Sequence, residues 1–599
     1  MKKNSIKYIM LLLVTISMAS CELDYENTET ITPDNVWTNP LMIKSYVSDI
    51  HGGMMPGWPI NGEASDEAIN APNQMSDYLK GVIDITSTTV GKFDYNNIDR
   101  INYFLQQLAS VPTTVLSQAE KDQLEGQMLF WRAWDYWGKI QAVGGVPLIL
   151  EPQNIDNTES LFIPRSKTSE CYAQIIDDLD RAISLLPPTW SGDNYGRIDQ
   201  CAAAAFKGKV AMWYASPLFN TSNDANRWEA AYSATKTAVE ICLAAGKNLN
   251  PVFADIWNTE RNEEVIMVNQ FYNPDHSYFN GGVRPQPITR DDTNKNQPYL
   301  PLITAFPKKD GSALTLDPNL VGDEVYDQTF MTDLYTNMDD RFYATIFCPG
   351  TVYPGKESTE GLLKGGLRLW TTWENTEDIV YNNSMTDNEL GTGLGNSATT
   401  GFYSLKGIDP SVEKNTIYNA GMDWVEIRFA EVLMNYAECA NETGRGNEAI
   451  DVLKQIRSRA NAGNMANNYG ITANSQSTIR EAIMKERFAE FAFEGKRFGD
   501  LRRWKRYDIL NTMSTRKGFK IVIKDNADLD TFDWTQDMID ATTRSKFKLV
   551  YFNSIDNDPS ATFNLDLNHW FYAIHKDDID RNPQLEQNNE WGGSFDPLQ

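Results

Sequence analysis

Two stretches in the second half of the chain decide the fold: residues 427–438 read IRFAEVLMNYAE, and residues 485–504 read KERFAEFAFEGKRFGDLRRW. Around the first stretch, apolar side chains recur at helical spacing from Val425 to Ala440. The glycines at 444 and 446 then turn the chain, and a second helical pattern runs from Ala449 to Ala460. The pattern predicts two antiparallel helices joined by a short turn.

This helix pair has about the length of a tetratricopeptide repeat, and it carries small Ala residues where two helices would approach closely. Such units bury a continuous core only when they stack on neighbours. We therefore expect a short solenoid rather than separate domains.

The second stretch carries three carboxylates, Glu486, Glu490 and Glu494, at every fourth position, which predicts one stripe on a helix. A glycosidase needs two carboxyl groups on opposite sides of the bond that is cleaved, and members of one stripe point the same way. A structural network of ion pairs is therefore the favoured interpretation. The expected partners are Arg497, Arg502 and Arg503.

The first half of the chain is also helical in pattern. Apolar stripes with a helical period cover residues 97–108, 120–141, 169–186, 199–216 and 227–244. The aromatic cluster within the second of these segments is expected to be core rather than a ligand platform. Its members are Trp131, Trp134, Tyr136 and Trp137.

The middle of the chain, residues 248–421, is rich in Gly, Pro, Asn, Asp and Thr and has no sustained helical period. We expect long loops with short strands and a few helices, and long ordered loops on a rigid scaffold are where binding usually occurs. The C-terminal part is mixed, with β-like stretches at 519–523 and 547–552.

The N-terminus reads as an export signal. Lys2, Lys3 and Lys7 precede a short apolar stretch at 9–16, and small residues end at Cys21. This pattern resembles a bacterial lipobox, in which the Cys becomes lipidated, and the acidic residues that follow resemble a surface-export signal. An ordinary secretory signal is the alternative. Removing the leader takes the formal net charge from −27 to −30.

Composition excludes one class of partner. Lys and Arg total 54 against 81 Asp and Glu, which argues against nucleic acid. The five cysteines after Cys21 show no metal or redox spacing, so buried free thiols are expected. Four scattered His make a His-based metal site or catalytic triad improbable.

The stretch from 424 to 506 closely resembles the RagB/SusD family of outer-membrane nutrient-uptake lipoproteins, including the pattern E-R-x-x-E-x-x-x-E-G-x-R-x-x-D-L-x-R-W at 486–504. Residues 130–136 (FWRAWDY), 144–148 (GGVPL), 571–574 (FYAI) and 579–583 (IDRNP) are similar to further family motifs, in the same order. The chain departs from the family at 573–575, where P-I-P is usual, and at 339–341, where D-P-R is common.

The resemblance implies a mostly α, SusD-like fold with tetratricopeptide-type helix pairs and a loop-rich binding region. The expected divisions are a signal peptide at 1–20, a lipidated tether at 21–38, a first scaffold part at 39–247, a binding region at 248–421, a second, tetratricopeptide-like scaffold part at 422–506, and a mixed C-terminal region packing on the scaffold at 507–599.

The family resemblance also implies function: a lipoprotein at the cell surface that binds oligosaccharide or polysaccharide and delivers it to a SusC-like TonB-dependent transporter, without catalysis. Sugar rings stack on aromatic side chains, while amide and charged groups bind their hydroxyls. The candidate ligand residues are Trp58, Asn73, Gln74, Tyr78, Tyr272, Tyr278, Arg284, Tyr299, Trp370 and Trp373. We expect Trp58 and one of the middle aromatics to form a stacking platform.

Two other classes remain open, a lipid-anchored glycosidase and a structural or adhesive surface protein. No cofactor is expected. A structural Ca²⁺ is the alternative, with the acidic loop around Asp291 and Asp292 as its candidate place, but no EF-hand spacing supports it. The sequence names neither the glycan nor its linkage, and a peptide nutrient is an alternative.

Overall fold

The computed structural model describes residues 33–59, 61–70, 74–87, 94–154, 156–157, 161–279, 296–355, 367–371, 378–382, 400–412, 419–524, 532–533 and 536–599. The predicted signal peptide, the lipidation site Cys21 and the acidic pair Asp291 and Asp292 lie outside these ranges. Among the described residues, no helix combines the length and the apolar character that a membrane crossing requires.

Helices dominate the chain. They are α1 Pro33–Trp37, α2 Pro40–Met54, α3 Asn96–Ser110, α4 Gln118–Val143, α5 Thr168–Leu185, α6 Gln200–Ala215, α7 Ala225–Ala244, α8 Asp255–Asn258, α9 Leu300–Ile303, α10 Glu324–Thr332, α11 Asp340–Thr345, α12 Phe429–Glu442, α13 Gly446–Arg459, α14 Gln476–Glu490, α15 Arg497–Arg503, α16 Tyr507–Met513, α17 Ala541–Arg544 and α18 Lys576–Arg581.

Strands are short. They are β1 Ala68–Ile69, β2 Val265–Asn269, β3 Tyr278–Phe279, β4 Gln297–Pro298, β5 Ile346–Phe347, β6 Leu367–Thr371, β7 Asp378–Asn382, β8 Tyr403–Ser404, β9 Asn419–Ala420, β10 Trp424–Arg428, β11 Gly518–Ile523 and β12 Phe547–Phe552. A four-stranded sheet has the order β12-β11-β6-β7, and β10 pairs with β2 antiparallel. The two predicted β-like stretches are confirmed as β11 and β12.

The helix ends follow from local capping. Ser117 and Glu120 form a capping box at the start of α4, and Asp199 accepts a hydrogen bond from the Ala202 N–H at the start of α6. At the end of α4, Gly144 adopts a φ of +82°, which a residue with a side chain rarely adopts. The predicted helices of the first half are thereby confirmed, with ends within two residues of the sequence pattern.

The helix pair of the second half is confirmed as α12 and α13, with one correction. The apolar spacing predicts that Val425 belongs to the helix, but Val425 lies in β10, where it pairs with Val268 of β2. The helix begins only at Phe429, because Arg428 keeps an extended backbone at the helix start. A buried strand and a buried helix are both apolar, so periodicity did not separate them.

One hydrophobic core unites the two helical halves. Helices α6 and α7 pack on each other, and α12 packs on both of them. Buried side chains from Ile43 in α2 to Ile483 in α14 belong to the same apolar cluster. A second apolar cluster lies around α10, α11 and the four-stranded sheet, and it contains Trp370.

The C-terminal segment packs against α4, α5 and α15. The Arg502 guanidinium donates to the carbonyl of Trp570 at 2.8 Å and to the carbonyl of Gln141 at 2.7 Å. The Thr168 hydroxyl donates to the carbonyl of Pro597 at 2.7 Å. The five cysteines beyond Cys21 are buried and form no disulfide, as predicted.

Candidate functional site

The three carboxylates of the recognisable motif are held in a buried network of ion pairs. Glu490 lies at the end of α14, whereas Glu494 lies beyond it, after a turn in which Phe493 has a φ of +61°, so the three do not form one helical stripe as predicted. The side chains of Glu486, Glu490 and Glu494 are at most 1% exposed.

The predicted network is confirmed, but its expected partners are wrong. Arg428 lies at its centre and donates to Glu264 at 2.7 Å, to Glu490 at 2.7 Å and to Glu494 at 2.9 Å. Arg341, in the segment that departs from the family pattern, donates to Glu490 at 3.0 Å. Further partners of the three carboxylates are Lys406, Arg457 and Arg459.

The expected partners bind other groups. Arg497 forms a bidentate ion pair with Asp66, and Arg503 pairs with Glu438 and Asp500. Arg502 donates to backbone carbonyls. Sequence spacing identified the charged groups but carried no information on which distant segment supplies each counter-charge.

Buried charges of this kind hold each other in the ionised state. Burial acts to raise the pKa of Glu490, but Arg459, Arg428 and Arg341 together hold it well below its ordinary value. The side chains of all three carboxylates are buried and ion-paired, so a substrate does not reach them. The network is therefore structural.

Several predicted ligand residues are buried, which contradicts their role as open stacking faces. Tyr299 and Trp370 are each 1% exposed. The Trp370 ring is stacked on Phe547 with centroids 5.3 Å apart in the second apolar cluster. Gly- and Pro-rich surroundings do not reveal that Trp370 belongs to β6 of the four-stranded sheet, or that Tyr299 lies buried at the start of α9.

Tyr78 is also a packing residue. Its hydroxyl is 2.8 Å from that of Tyr507, and its ring meets Phe498 and Tyr572 edge-on. Burial raises its pKa well above the ordinary tyrosine value. Gln74 is exposed, and its backbone carbonyl accepts a hydrogen bond from the Arg516 guanidinium. Asn73, Arg284 and Trp373 lie outside the described residues.

The structure does bring three predicted residues together. Trp58 stacks on Tyr278 with centroids 5.6 Å apart and an interplanar angle of 19°, and Tyr272, which precedes Tyr278 in the same hairpin segment, is 58% exposed as a residue. We call Trp58, Phe271, Tyr272, His276 and Tyr278 the aromatic surface.

Backbone contacts fix the aromatic surface. Strand β3 pairs with β9, so that Tyr278 lies opposite Ala420. Tyr272 and His276 exchange two backbone hydrogen bonds of 2.9 Å, which closes the hairpin. The Trp58 indole N–H donates to the carbonyl of Met422 at 3.0 Å. This hydrogen bond connects the loop that carries Trp58 to the segment that follows β9.

A glycine makes room for the indole ring. Gly407 has a φ of +72°, and a Cβ at this position would lie 2.6 Å from Trp58. Trp424 packs against the other side of Trp58 at a centroid distance of 5.0 Å. The indole is held in a fixed orientation, which limits the entropy lost when a ligand binds.

Polar groups surround the aromatic rings. Asp423 accepts a hydrogen bond from the Phe271 N–H at 2.9 Å, and burial raises its pKa to about 6. The Arg261 guanidinium lies 4.8 Å from the ring centre of Tyr195, and His276 Nδ1 is 2.6 Å from the carbonyl oxygen of Gln270. Aromatic rings with carboxylate and imidazole groups nearby can stack on a ligand and bind its hydroxyls.

Sequence reasoning missed Phe271, His276, Asp423 and Arg261 around this surface. The apolar run at residues 265–268, which forms most of β2, was the available signal that Phe271 lies close behind a buried strand. Asp423 and Arg261 carried no signal, because their positions depend on contacts between distant loops. In the described part of the chain, no group of three or more His, Cys, Asp or Glu is arranged to hold a metal ion.

Comparisons with known proteins agree with this architecture. The SusD family model matches residues 251–591, and a second family, described as starch-binding associating with outer membrane, matches residues 62–212. SusD-like protein P38 of Formosa agariphila is 22% identical, over 84% of this chain and 92% of that protein. SusD-like protein P25 of the same organism is 22% identical, and the match spans 65% of each protein, slightly less than two thirds of the relative's length.

A solved structure gives the same fold. A SusD-like carbohydrate binding protein from Bacteroides fragilis superposes with a TM-score of 0.62 at 18% identity, covering 92% of this chain and 99% of that one. The mostly α architecture is thus a SusD-like fold. Because one family model spans more than half of the sequence, the chain belongs to the SusD family.

Proposed function

We propose that the protein is a glycan-binding lipoprotein of the outer membrane, which captures an oligosaccharide or polysaccharide and passes it to a SusC-like TonB-dependent transporter without cleaving it. The Bacteroides fragilis neighbour is described as carbohydrate binding, and the second matching family is described as starch-binding and associated with the outer membrane. Both descriptions support the proposal.

The observation that carries the proposal is the aromatic surface. Tyr272 offers an open ring face, and Trp58 and Tyr278 stack beside it on loops that the helical scaffold holds in place. Neutral sugars present apolar C–H faces and hydroxyl groups together, so a rigid aromatic surface edged with polar groups suits them. Binding of this kind needs no catalytic residue.

The ion-pair network supports a non-catalytic role. An acid and a base on opposite sides of a glycosidic bond must be reachable by the sugar. Glu486, Glu490 and Glu494 are buried and ion-paired instead. The strongest acidic motif of the sequence is therefore used for stability.

Anchoring would take place at Cys21. A lipidated cysteine with more than one acyl chain gives a lasting hold on a membrane. The tether expected at residues 21–38 would separate the lipid from the scaffold. Cys21→Ala should move the protein from the membrane fraction to the soluble fraction, with unchanged glycan binding.

Affinity gel electrophoresis tests the glycan proposal. The purified mature protein is run through gels that contain single polysaccharides of different backbone sugars, and retardation by at least one of them is expected. The same mixtures are assayed for new reducing ends, and none should form. Absence of retardation with every glycan, combined with binding of peptides, would replace glycan by peptide as the nutrient.

Co-purification tests the partner. When the lipoprotein is tagged in its own organism and membranes are solubilised mildly, a TonB-dependent transporter should be recovered in a stoichiometric amount. Recovery of the lipoprotein alone, or in pilus-like assemblies, would favour the structural or adhesive alternative.

A further inference from the structure

A second candidate site, a half-open cavity, lies beside the aromatic surface. A cavity of about 350 Å³ opens between α4, α6 and the region where β10 leads into α12. Four tryptophans line it: Trp134 and Trp137 from α4, Trp213 from α6 and Trp424 from β10. We call this cavity the tryptophan pocket. Its volume lies within the range of small-molecule sites.

Charged groups at the pocket are paired with one another. Lys209 and Lys496 bind the two oxygens of Glu431 at 3.1 and 2.9 Å. Burial acts to raise the pKa of Glu431, but the two ammonium groups lower it to about 2. The Trp424 indole N–H donates to Glu426 at 2.9 Å.

The remaining charged lining groups are also compensated. Arg487 forms two hydrogen bonds with Asp500, and Glu494 belongs to the network around Arg428. Burial acts to lower the pKa of Lys496, but Glu431 and Glu426 raise it, so Glu426 also lies near an opposite charge. Within the described residues, each charged group of the lining is therefore close to a group of opposite sign. Amino and carboxylate groups that are already paired can still bind hydroxyls through their remaining hydrogen-bonding positions.

Three of the four tryptophans in the pocket lining have an indole N–H group without a hydrogen-bond acceptor among the described residues. The indole N–H groups of Trp134, Trp137 and Trp213 donate no hydrogen bond to any residue in the described ranges, and neither does the side-chain amide of Gln141, which also lines the pocket. Buried or half-buried tryptophans usually find a partner for this group. Three indoles without one around a single cavity indicate that the acceptor comes from a ligand or from solvent.

The pocket adjoins the aromatic surface. Pro56, Gly57 and Pro59 line the pocket, and Trp58 of the same loop belongs to the aromatic surface. Trp58 and Trp424 are in ring contact at 5.0 Å. The pocket and the aromatic surface therefore share one loop and one ring contact.

We infer that the tryptophan pocket binds one neutral sugar ring, as a second subsite distinct from the aromatic surface. Its aromatic walls suit the apolar faces of such a ring, its free donors suit the hydroxyl oxygens, and its balanced charges disfavour a uronate or an amino sugar. The inference rests on the proposed glycan-binding function and adds a ligand class and a location to it.

A glycine allows the pocket to be narrowed without strain. Gly138 lies in α4 and lines the pocket, and a Cβ at this position would meet nothing within 4 Å. Gly138→Leu should fold normally, because leucine favours a helix over glycine, and a side chain at this exposed lining position would narrow the mouth of the cavity. Gly52→Leu is the matched control, since Gly52 lies in α2, is exposed and also has nothing within 4 Å of its Cβ.

Tryptophan fluorescence and calorimetry provide the measurement. Methyl glycosides of neutral hexoses and pentoses are titrated into the folded proteins, with methyl glucuronide as the charged probe. At least one neutral glycoside should bind saturably to the unaltered protein and to Gly52→Leu, with Kd values equal to within about twofold, and Gly138→Leu should weaken this binding by about tenfold or more.

The outcomes separate this inference from the proposed function. If the protein is retarded by a polysaccharide but Gly138→Leu binds the neutral glycoside as tightly as the control does, the pocket is not a sugar site and the proposed function stands. Preference for methyl glucuronide would overturn the neutral class. Failure of every glycan, in gels and in solution, would overturn both.

Discussion

The ion-pair network and the aromatic surface use the same kind of long-range contact for opposite purposes. In the network, Arg428 joins Glu264, Glu490 and Glu494, and all four are buried. In the aromatic surface, Trp58 reaches across the chain to Met422 while Tyr272 keeps its ring open. The most recognisable motif of the sequence therefore builds the scaffold, and the proposed ligand contacts lie on segments without a motif.

Removing the centre of the network should have the largest effect. Arg428→Met leaves three buried carboxylates without their shared partner, and breaking a buried pair costs about 3–5 kcal/mol. Urea unfolding should show this loss. Arg581→Met is the control, since its side chain is 78% exposed beside Asp578 and the change should cost about 0–1 kcal/mol. Equal effects would contradict a structural network.

Trp370 separates core aromatics from surface aromatics. Trp370→Ala removes a ring that is stacked on Phe547, and the free energy of unfolding should fall by about 3–5 kcal/mol. The folded fraction should keep its glycan affinity, which calorimetry below the unfolding temperature measures. A well-folded variant with weakened glycan binding would return Trp370 to the candidate ligand residues.

Gly407 tests whether the orientation of Trp58 matters. Gly407→Ala places a methyl group 2.6 Å from the indole and also forces a side chain into positive φ, which costs about 1–2 kcal/mol by itself. Gly322→Ala shares only the second effect, because Gly322 has a φ of +95° with nothing within 4 Å of its Cβ. Glycan affinity should fall in the first variant and stay constant in the second.

Asp423 should give the smallest effect, visible as a dependence on pH. Its folded pKa of about 6 lies above the ordinary value of 3.8, because burial and Glu260 outweigh the Phe271 N–H and Arg261. Between these values the folded state binds the extra proton, so this contribution to stability decreases as pH rises. The free energy of unfolding of Asp423→Asn minus that of wild type should increase from about pH 4 to pH 6. Above about pH 7 this difference should stay constant. A pH-independent difference in unfolding free energy would contradict the raised pKa.

Much of the scaffold could be predicted because its information is local. The period of apolar residues located α3 to α7 within two residues, and capping residues such as Ser117 mark where helices begin. The partners of Glu490 could not be predicted, since α11, β10 and α13 each supply one arginine. No local pattern along the chain indicates which distant counter-charge a buried carboxylate meets.

The candidate site was predictable only in part for the same reason. The sequence predicts both Trp58 and Tyr278 as ligand residues, but their contact depends on the β3–β9 pairing and on the hydrogen bond from Trp58 to Met422. Loop composition placed Trp370 in the same class as Tyr272, although one ring is buried and the other is open. Exposure of a loop aromatic is decided by tertiary packing.

The most direct test of the central claim compares two exposed aromatic rings. Tyr272→Ala removes the open ring of the aromatic surface, and Phe162→Ala removes a ring that is 43% exposed on another loop. Both should change the free energy of unfolding by no more than about 0.5 kcal/mol. By calorimetry with the glycan that retards the protein, Tyr272→Ala should weaken binding about tenfold, or about 1.4 kcal/mol, and Phe162→Ala should not. Equal affinity in both variants would contradict the assignment of glycan binding to the aromatic surface.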